Sequence, residues 1–135
     1  FKTVLMGRKT YEFGYRYGLK PGDLAYPGME HYIISDQFQL ADKAENLHII
    51  PASLPAIDRV VKNATSDIYL CGGGILAGWL LNNQRIEKLI VKLNPVTLGS
   101  GVRLFEDQDI AVHWELLNTK TFDDGMVIIT YQRKP

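Results

Sequence analysis

The chain has 135 residues, in which 15 Lys and Arg balance 15 Asp and Glu, so its formal net charge at pH 7 is +0. This balance excludes a strongly basic protein that binds nucleic acid or an anionic membrane through its overall field. The single cysteine, Cys71, excludes an internal disulfide framework and fits the reducing cytoplasm, and no apolar run approaches the roughly 18 residues of a membrane span. We therefore expect one cytoplasmic domain over residues 1–135.

Strand and helix patterns alternate along most of the chain. Short apolar runs bounded by polar residues, glycine or proline predict strands. These runs are Thr3–Met6, His31–Ser35, Leu47–Ile50, Asp67–Cys71 and Ile86–Leu93. Helical patterns follow three of the strands, at Lys9–Tyr17, in the segment after Ser53 and at Ile75–Leu81.

The helix after Ser53 has the clearest start signal. Ser53 is a favourable N-cap, and Pro55 lies in the first turn, where proline is tolerated. Apolar residues at helical spacing predict the buried face of this helix. They are Leu54, Ile57, Val61 and Ala64.

The carboxyl-terminal part differs in character. Val112–Leu116 and Val127–Tyr131 flank Asp124-Gly125, a pattern typical of an antiparallel hairpin. Alternating strands and helices followed by a hairpin predict an α/β fold with three layers. Its sheet is expected to be mixed and mainly parallel, with the antiparallel hairpin at its C-terminal edge.

The first candidate site is the strand-to-helix turn formed by Gly7, Arg8, Lys9 and Thr10. Glycine permits close backbone approach, the two basic side chains supply charge, and Thr10 offers a hydroxyl group to a phosphate oxygen. The turn is not a Walker A loop, because Arg8 stands where a second glycine would precede the lysine. A solvated basic turn that merely starts a helix is the alternative.

The second candidate is a run of three glycines, Gly72, Gly73 and Gly74, between a strand and the helix that begins with Ile75 and Leu76. The run does not match the dinucleotide fingerprint Gly-x-Gly-x-x-Gly, and a purely structural turn is the alternative reading. Both candidate turns follow parallel strands, and the carboxyl ends of such strands are where open α/β sheets bind ligands. Two adjacent anion sites would suit a pyrophosphate.

The remaining candidate residues give weaker evidence of a substrate, metal or catalytic site. The loop containing Pro95, Leu98 and Gly99 could line a substrate pocket or simply connect two strands. Cys71 and the scattered histidines are read as structural, and no metal site is predicted. No paired-carboxylate or Ser-His-Asp arrangement is present, so the catalytic residues are left unassigned.

Three stretches together resemble the dihydrofolate reductase superfamily, and most closely its branch related to the C-terminal reductase domain of the riboflavin-biosynthesis protein RibD. Val4–Glu12 is similar to the cofactor-phosphate turn of that superfamily, Ile33–Ser35 to the strand end near the adenosine, and Leu70–Leu76 to the glycine turn. A Pro-x-x-Leu-Gly-x-Gly loop in Asn94–Gly101, followed by Leu104-Phe105, is typical of the RibD-like branch.

The resemblance implies an NADPH-dependent reductase that acts on a pteridine or a pyrimidine-type heterocycle, such as a phosphoribosylaminouracil. It implies that Gly7, Arg8, Lys9 and Thr10 hold phosphates and that Ser35 lies near the adenosine ribose. The pyrophosphate and nicotinamide ribose would contact Gly72, Gly73, Gly74, Ile75 and Leu76. The substrate side would be shaped by Pro95, Leu98 and Gly99. Homodimers are common in this branch. A true dihydrofolate reductase and a non-catalytic nucleotide-binding protein are the alternatives.

Two departures from the family pattern stand out. Asp36 follows Ser35 close to where a 2'-phosphate would lie, and it either repels that phosphate or caps the next turn. The strand-like start at Phe1 also leads us to expect that residues 1–135 lack the family's first strand and helix, where a proton donor would lie.

Overall fold

Strand β1 (Thr3–Gly7) lies inside a parallel sheet, and four of its five residues are buried. It pairs on one side with β2 (Glu30–Ile34) and on the other with a strand at Ile68–Gly72. Strand β3 (Leu47–Ile50) pairs with the outer side of β2. With the strand at Ile68–Gly72 numbered β4, the order across the sheet is β3-β2-β1-β4. The four strands predicted for this part of the chain are confirmed.

The computed structural model describes residues 1–135, which divide into two compact units, Phe1–Leu76 and Ala77–Pro135. The first unit holds the parallel sheet and two helices. These are α1 (Arg8–Phe13), extended by a 3-10 turn at Gly14–Tyr17, and α2 (Leu54–Asn63). Helix α3 (Gly74–Asn82) begins at the end of the first unit and continues into the second. None of the helices is both long and apolar enough to cross a membrane.

The second unit contains an antiparallel sheet in the order β5-β7-β6. Its strands are β5 (Lys88–Leu93), β6 (Trp114–Thr121) and β7 (Val127–Arg133). The predicted hairpin is confirmed: Gly125 has a φ of 85°, and the Met126 N–H donates a hydrogen bond to Asp124 Oδ1 over 3.0 Å. The α/β class is also confirmed. The expected mixed sheet is present as two sheets, because β5 pairs with β7 rather than with a parallel strand.

Helix α2 begins as predicted, with the Ser53 hydroxyl oxygen accepting a hydrogen bond from the Ala56 N–H over 3.4 Å. Its buried residues are Ala56, Ile57 and Val60. The prediction that Val61 belongs to the buried face is wrong, since its side chain is 51% exposed. The buried face is turned by one residue relative to the predicted face, because Ala56 and Val60 pack inward together with Ile57.

Tyr11 of α1 anchors the loop that follows the 3-10 turn. The Tyr11 side chain is buried, and its hydroxyl accepts a hydrogen bond from the Gly22 N–H over 2.9 Å and donates one to the Asp23 carbonyl oxygen over 2.8 Å. Burial raises the pKa of Tyr11, although the hydrogen bond from Gly22 opposes this, so the phenol stays protonated and able to donate. Gly22 has a φ of 95°, and a Cβ there would collide with the Asp42 carbonyl oxygen.

Replacing Tyr11 by Phe should destabilise the protein by about 1–3 kcal/mol, because the buried Gly22 N–H loses its acceptor. The free energy of unfolding in urea measures this effect. Tyr17→Phe is the matched control, since Tyr17 is 79% exposed and should tolerate the change. Equal stabilities of the two variants would contradict the anchoring role of Tyr11.

Gly78 marks a close contact within the second unit. It is a buried residue of α3, and a Cβ at this position would collide with the backbone carbonyl oxygen of Glu106. Glycine within a helix is ordinarily less favourable than alanine by roughly 0.5–1 kcal/mol, so its presence here is explained by the contact. The neighbouring Asn82 fixes the same loop, donating a hydrogen bond to the Asp107 carbonyl oxygen over 2.8 Å.

Gly78→Ala should therefore lower the free energy of unfolding by about 1–3 kcal/mol, the usual cost of overpacking, rather than raise it through helix propensity. Gly101→Ala is the control, because a Cβ at Gly101 meets nothing within 4 Å. Thermal or urea unfolding monitored by circular dichroism distinguishes the two results. A stabilised Gly78→Ala variant would mean that the loop at Glu106 moves away without cost.

Candidate functional site

Two glycine turns lie side by side at the carboxyl edge of the parallel sheet. Gly7 ends β1, and Gly72 ends β4, where Met6 pairs with Gly72 after a register shift. A Cβ built on Gly7 would lie 3.9 Å from the Gly72 carbonyl oxygen and 4.0 Å from the Gly73 nitrogen. The structure thus brings together the two candidate turns that are separated by more than 60 residues in the sequence.

The backbone of the second turn is open on one side and flanked by Thr10 on another. The peptide bond between Gly72 and Gly73 is cis. A Cβ at Gly72 would meet nothing within 4 Å, and Gly72 has a φ of 113°, which favours glycine. A Cβ at Gly73 would lie 3.3 Å from the Thr10 Oγ1. Because the space next to Gly72 is open, a ligand can approach this backbone closely, beside the hydroxyl of Thr10.

The start of α1 has no side-chain cap, and the first N–H groups of a helix have no partner within the helix itself. Gly7 is the N-cap and provides no side-chain hydrogen bond, and the first turn contains no acidic residue. Arg8 Nε lies 3.5 Å from Glu12 Oε2, and the two side chains are 43% and 37% exposed. Such an exposed pair is weak, so an anion can compete for Arg8. Because α1 has six residues, the positive character of this site comes from free N–H groups, Arg8 and Lys9 rather than from a long helix.

Ser35 lies directly after Ile34, which pairs with Gly7 across the sheet. The Ser35 hydroxyl oxygen accepts hydrogen bonds from the N–H groups of Gln37 and Phe38 over 3.4 and 3.2 Å. The Asp36 Oδ1 accepts a hydrogen bond from the Ala52 N–H over 3.0 Å. The Asp36 carboxylate thus satisfies a backbone group in the loop before α2. It does not cap the next turn, whose N–H groups are bound by Ser35 instead.

The remaining residues predicted to contact the cofactor or the substrate lie partly in the first unit and partly in the second. Ile75 is exposed, whereas Leu76 is buried and packs within the fold. Pro95, Leu98 and Gly99 lie in the second unit, in the exposed loop after β5. A Cβ at Gly125 would lie 3.4 Å from Pro95 Cγ, so this loop starts against the hairpin turn. The assignment of these residues to the cofactor or the substrate stays a prediction.

A contact between Tyr26 and Cys71, beside the second turn, is not predicted from the sequence. The Tyr26 hydroxyl lies 3.4 Å from Cys71 Sγ, and either atom can donate the hydrogen bond. The Tyr26 ring meets the Tyr69 ring edge-on, with centroids 5.8 Å apart. No local pattern could have revealed this cluster, because Tyr26 lies in a Pro-Gly loop 45 residues away from Cys71.

Comparison with known proteins assigns the family. The family model of the RibD C-terminal domain matches residues 2–128. The chain belongs to the RibD C-terminal domain family. Among curated proteins it is similar to the uncharacterized protein YyaP of Bacillus subtilis, with 28% identity over 96% of this chain and 72% of YyaP.

Solved structures support the RibD-like fold. A protein from Shewanella sp. PV-4, provisionally described as a riboflavin biosynthesis protein, superposes with a TM-score of 0.83 at 19% identity. The superposition covers 99% of this chain and 75% of that chain. A pyrimidine reductase-like protein from Corynebacterium diphtheriae superposes with a TM-score of 0.70 at 12% identity, covering 99% and 76%. The family model confirms the predicted membership of the RibD-like branch, and these structures confirm the predicted dihydrofolate reductase-like fold.

Proposed function

We propose that this RibD C-terminal domain family member is an NADPH-dependent reductase of a pteridine or pyrimidine-type heterocycle. The observation that supports the proposal most is the adjacency of the Gly7 turn and the Gly72-Gly73 turn, with the Thr10 hydroxyl beside Gly73. Family membership supports reductase chemistry, and the similarity to the pyrimidine reductase-like protein of Corynebacterium diphtheriae supports a pyrimidine-type acceptor.

The residues at the two turns fit the phosphate groups of such a cofactor. A pyrophosphate needs several donors and a backbone that it can approach closely. The free N–H groups at the start of α1 and the Thr10 hydroxyl supply donors, and the absence of side chains at Gly72 and Gly73 leaves room. Arg8 and Lys9 are exposed and add positive charge, which a formal net charge of +0 conceals.

The protein's contribution to the reaction is binding and orientation. NADPH, when bound, supplies the hydride that reduces the heterocycle. The two turns would fix the phosphates, so that the nicotinamide end is held in one position relative to the acceptor. Asp36 keeps its negative charge when the Ala52 N–H binds it, so its repulsion of a 2'-phosphate would have to be offset by the positive charge of Arg8.

The direct test is to measure NADPH oxidation, by loss of reduced-nicotinamide absorbance, with a panel of pterins and aminopyrimidines including phosphoribosylaminouracils. Turnover of one class supports the proposal and names the substrate. Turnover of dihydrofolate alone would indicate a true dihydrofolate reductase. Tight NADPH binding without turnover of any acceptor would identify a nucleotide-binding protein instead.

Arg8→Ala should weaken NADPH binding about ten-fold and NADH binding much less, because a charge-assisted contact to the 2'-phosphate is lost. Glu12→Gln is the matched partner: it removes the carboxylate that competes for Arg8 and should tighten NADPH binding about two-fold. Calorimetric Kd values for the two cofactors measure both effects. Equal losses for NADPH and NADH in Arg8→Ala would remove Arg8 from the 2'-phosphate.

Gly73→Val should abolish NADPH binding and leave the protein folded, because the new side chain would crowd the Thr10 hydroxyl, 3.3 Å from the Cβ position, and block the approach of a phosphate to this backbone. Circular dichroism checks the fold, and fluorescence titration checks the affinity. Ala111→Val, at an exposed position in the loop before β6, is the control for introducing a β-branched residue. Unchanged NADPH affinity in Gly73→Val would make the glycine turn a structural feature only.

A further inference from the structure

The loop that contains Tyr26 is tied to the parallel sheet through His31. The His31 side chain is 0% exposed. Its Nε2 accepts a hydrogen bond from the Tyr26 N–H over 3.0 Å, and its Nδ1 lies 3.0 Å from the Met29 carbonyl oxygen. Since Nε2 accepts, Nδ1 carries the proton and donates, so the ring is neutral with a fixed tautomer. The Tyr26 ring also stacks on His31, with centroids 6.0 Å apart.

The other end of Tyr26 reaches the glycine turn. Its hydroxyl contacts Cys71 Sγ, and Cys71 is the residue immediately before Gly72. The Tyr69 ring packs against Tyr26 from the same strand. The hydrogen bond with Cys71 and burial together raise the pKa of Tyr26, which keeps its phenol protonated. One side chain thus joins the His31 anchor to the end of β4.

We infer that Tyr26 is a positioning residue for the Gly72-Gly73 turn, and that protonation of His31 releases it. A protonated imidazole has a hydrogen on Nε2 that would face the Tyr26 N–H, leaving two donors and no acceptor in a buried place. The Tyr26 backbone must then move away from His31, and its hydroxyl loses the geometry that fixes Cys71. The consequence for cofactor affinity rests on the proposed function, whereas the coupling between His31 and the turn does not.

The surroundings of His31 set the pH range of the release. Its register partners are Val4 on β1 and Leu47 on β3, neither of which titrates. The titratable groups nearby are the phenols of Tyr26, which stacks on His31, and of Tyr69, which pairs with Val4 in register. The pKa of each phenol is raised, so both stay neutral in this range. The charged group near His31 is Glu30, whose carboxylate is held by His48 Nε2 of β3 at 2.8 Å. Burial lowers the pKa of His31, against the hydrogen bond to Met29 and the charge of Glu30. The release of Tyr26 should therefore begin only at a pH below 6.5, the ordinary pKa of a histidine. Stability of the anchored state is complete above that value and is lost as the pH falls through the folded pKa.

The test uses amide NMR signals of Gly72, Gly73 and Gly74 in the full chain, together with the Kd for NADPH. Tyr26→Phe removes only the hydroxyl and should shift these signals at neutral pH and weaken NADPH binding about five-fold, the value of one lost hydrogen bond. Tyr17→Phe should leave both unchanged. Unshifted turn signals in Tyr26→Phe would overturn the positioning role, and an unchanged Kd would overturn its consequence for cofactor affinity.

The proton dependence is tested between about pH 8 and about pH 5. In the wild type the turn signals should titrate together with the His31 ring. His31→Gln keeps an acceptor for the Tyr26 N–H but cannot titrate, so its turn signals should stay constant, whereas His48→Gln should behave as the wild type. A wild-type titration curve in His31→Gln would overturn the inference.

The NMR measurements and the NADPH affinities test the positioning role of Tyr26 and the proposed reductase function separately. If NADPH does not bind the wild type at all, the proposed function fails, and the NMR comparison still decides whether Tyr26 and His31 control the turn. If Tyr26→Phe does not fold, the comparison of the wild type with His31→Gln and His48→Gln decides the inference by itself.

Discussion

The burial of β1 between two parallel partners is the constraint on which the rest of the first unit depends. Parallel strands present their carboxyl ends at one edge of a sheet, so pairing of β1 with β2 and β4 brings Gly7, Ser35 and Gly72 to that edge. Apolar residues of β1 fill the core beneath them, and Val4 and Met6 are almost completely buried. The packing that stabilises the sheet therefore also brings the two glycine turns together.

The long loop between the 3-10 turn and β2 is organised by two buried polar side chains. Tyr11 fixes its first part by hydrogen bonds with Gly22 and Asp23, and His31 fixes its second part by hydrogen bonds with Tyr26 and Met29. A buried polar group that is satisfied by backbone partners specifies one conformation, because any alternative leaves a donor or acceptor unpaired. This explains how a loop rich in proline and glycine can place Tyr26 accurately beside Cys71.

The predictions that differ from the structure have a common physical cause. The strands of the parallel sheet, the hairpin turn and the Ser53 cap depend on residues close in sequence, and they are found as predicted. Strand β6 lies at Trp114–Thr121, further along the chain than the predicted Val112–Leu116. The exposure of Val61 depends on which face of α2 meets the core, and apolar spacing alone leaves that face uncertain by one residue. The pairing of β5 with β7 depends on contacts over about 40 residues of sequence, which local periodicity does not encode.

For the candidate site, the sequence by itself determined the residue types: glycines without side chains at two strand ends, and basic and hydroxyl groups after the first. It also carried the resemblance that family comparison confirmed. Only the tertiary structure decided that the two turns adjoin, that Asp36 is occupied by the Ala52 N–H, and that Tyr26 contacts Cys71. The reason is that the residue types at a turn can be read from neighbouring positions in the sequence. These contacts instead depend on the order of the strands and on the path of the loops across the sheet.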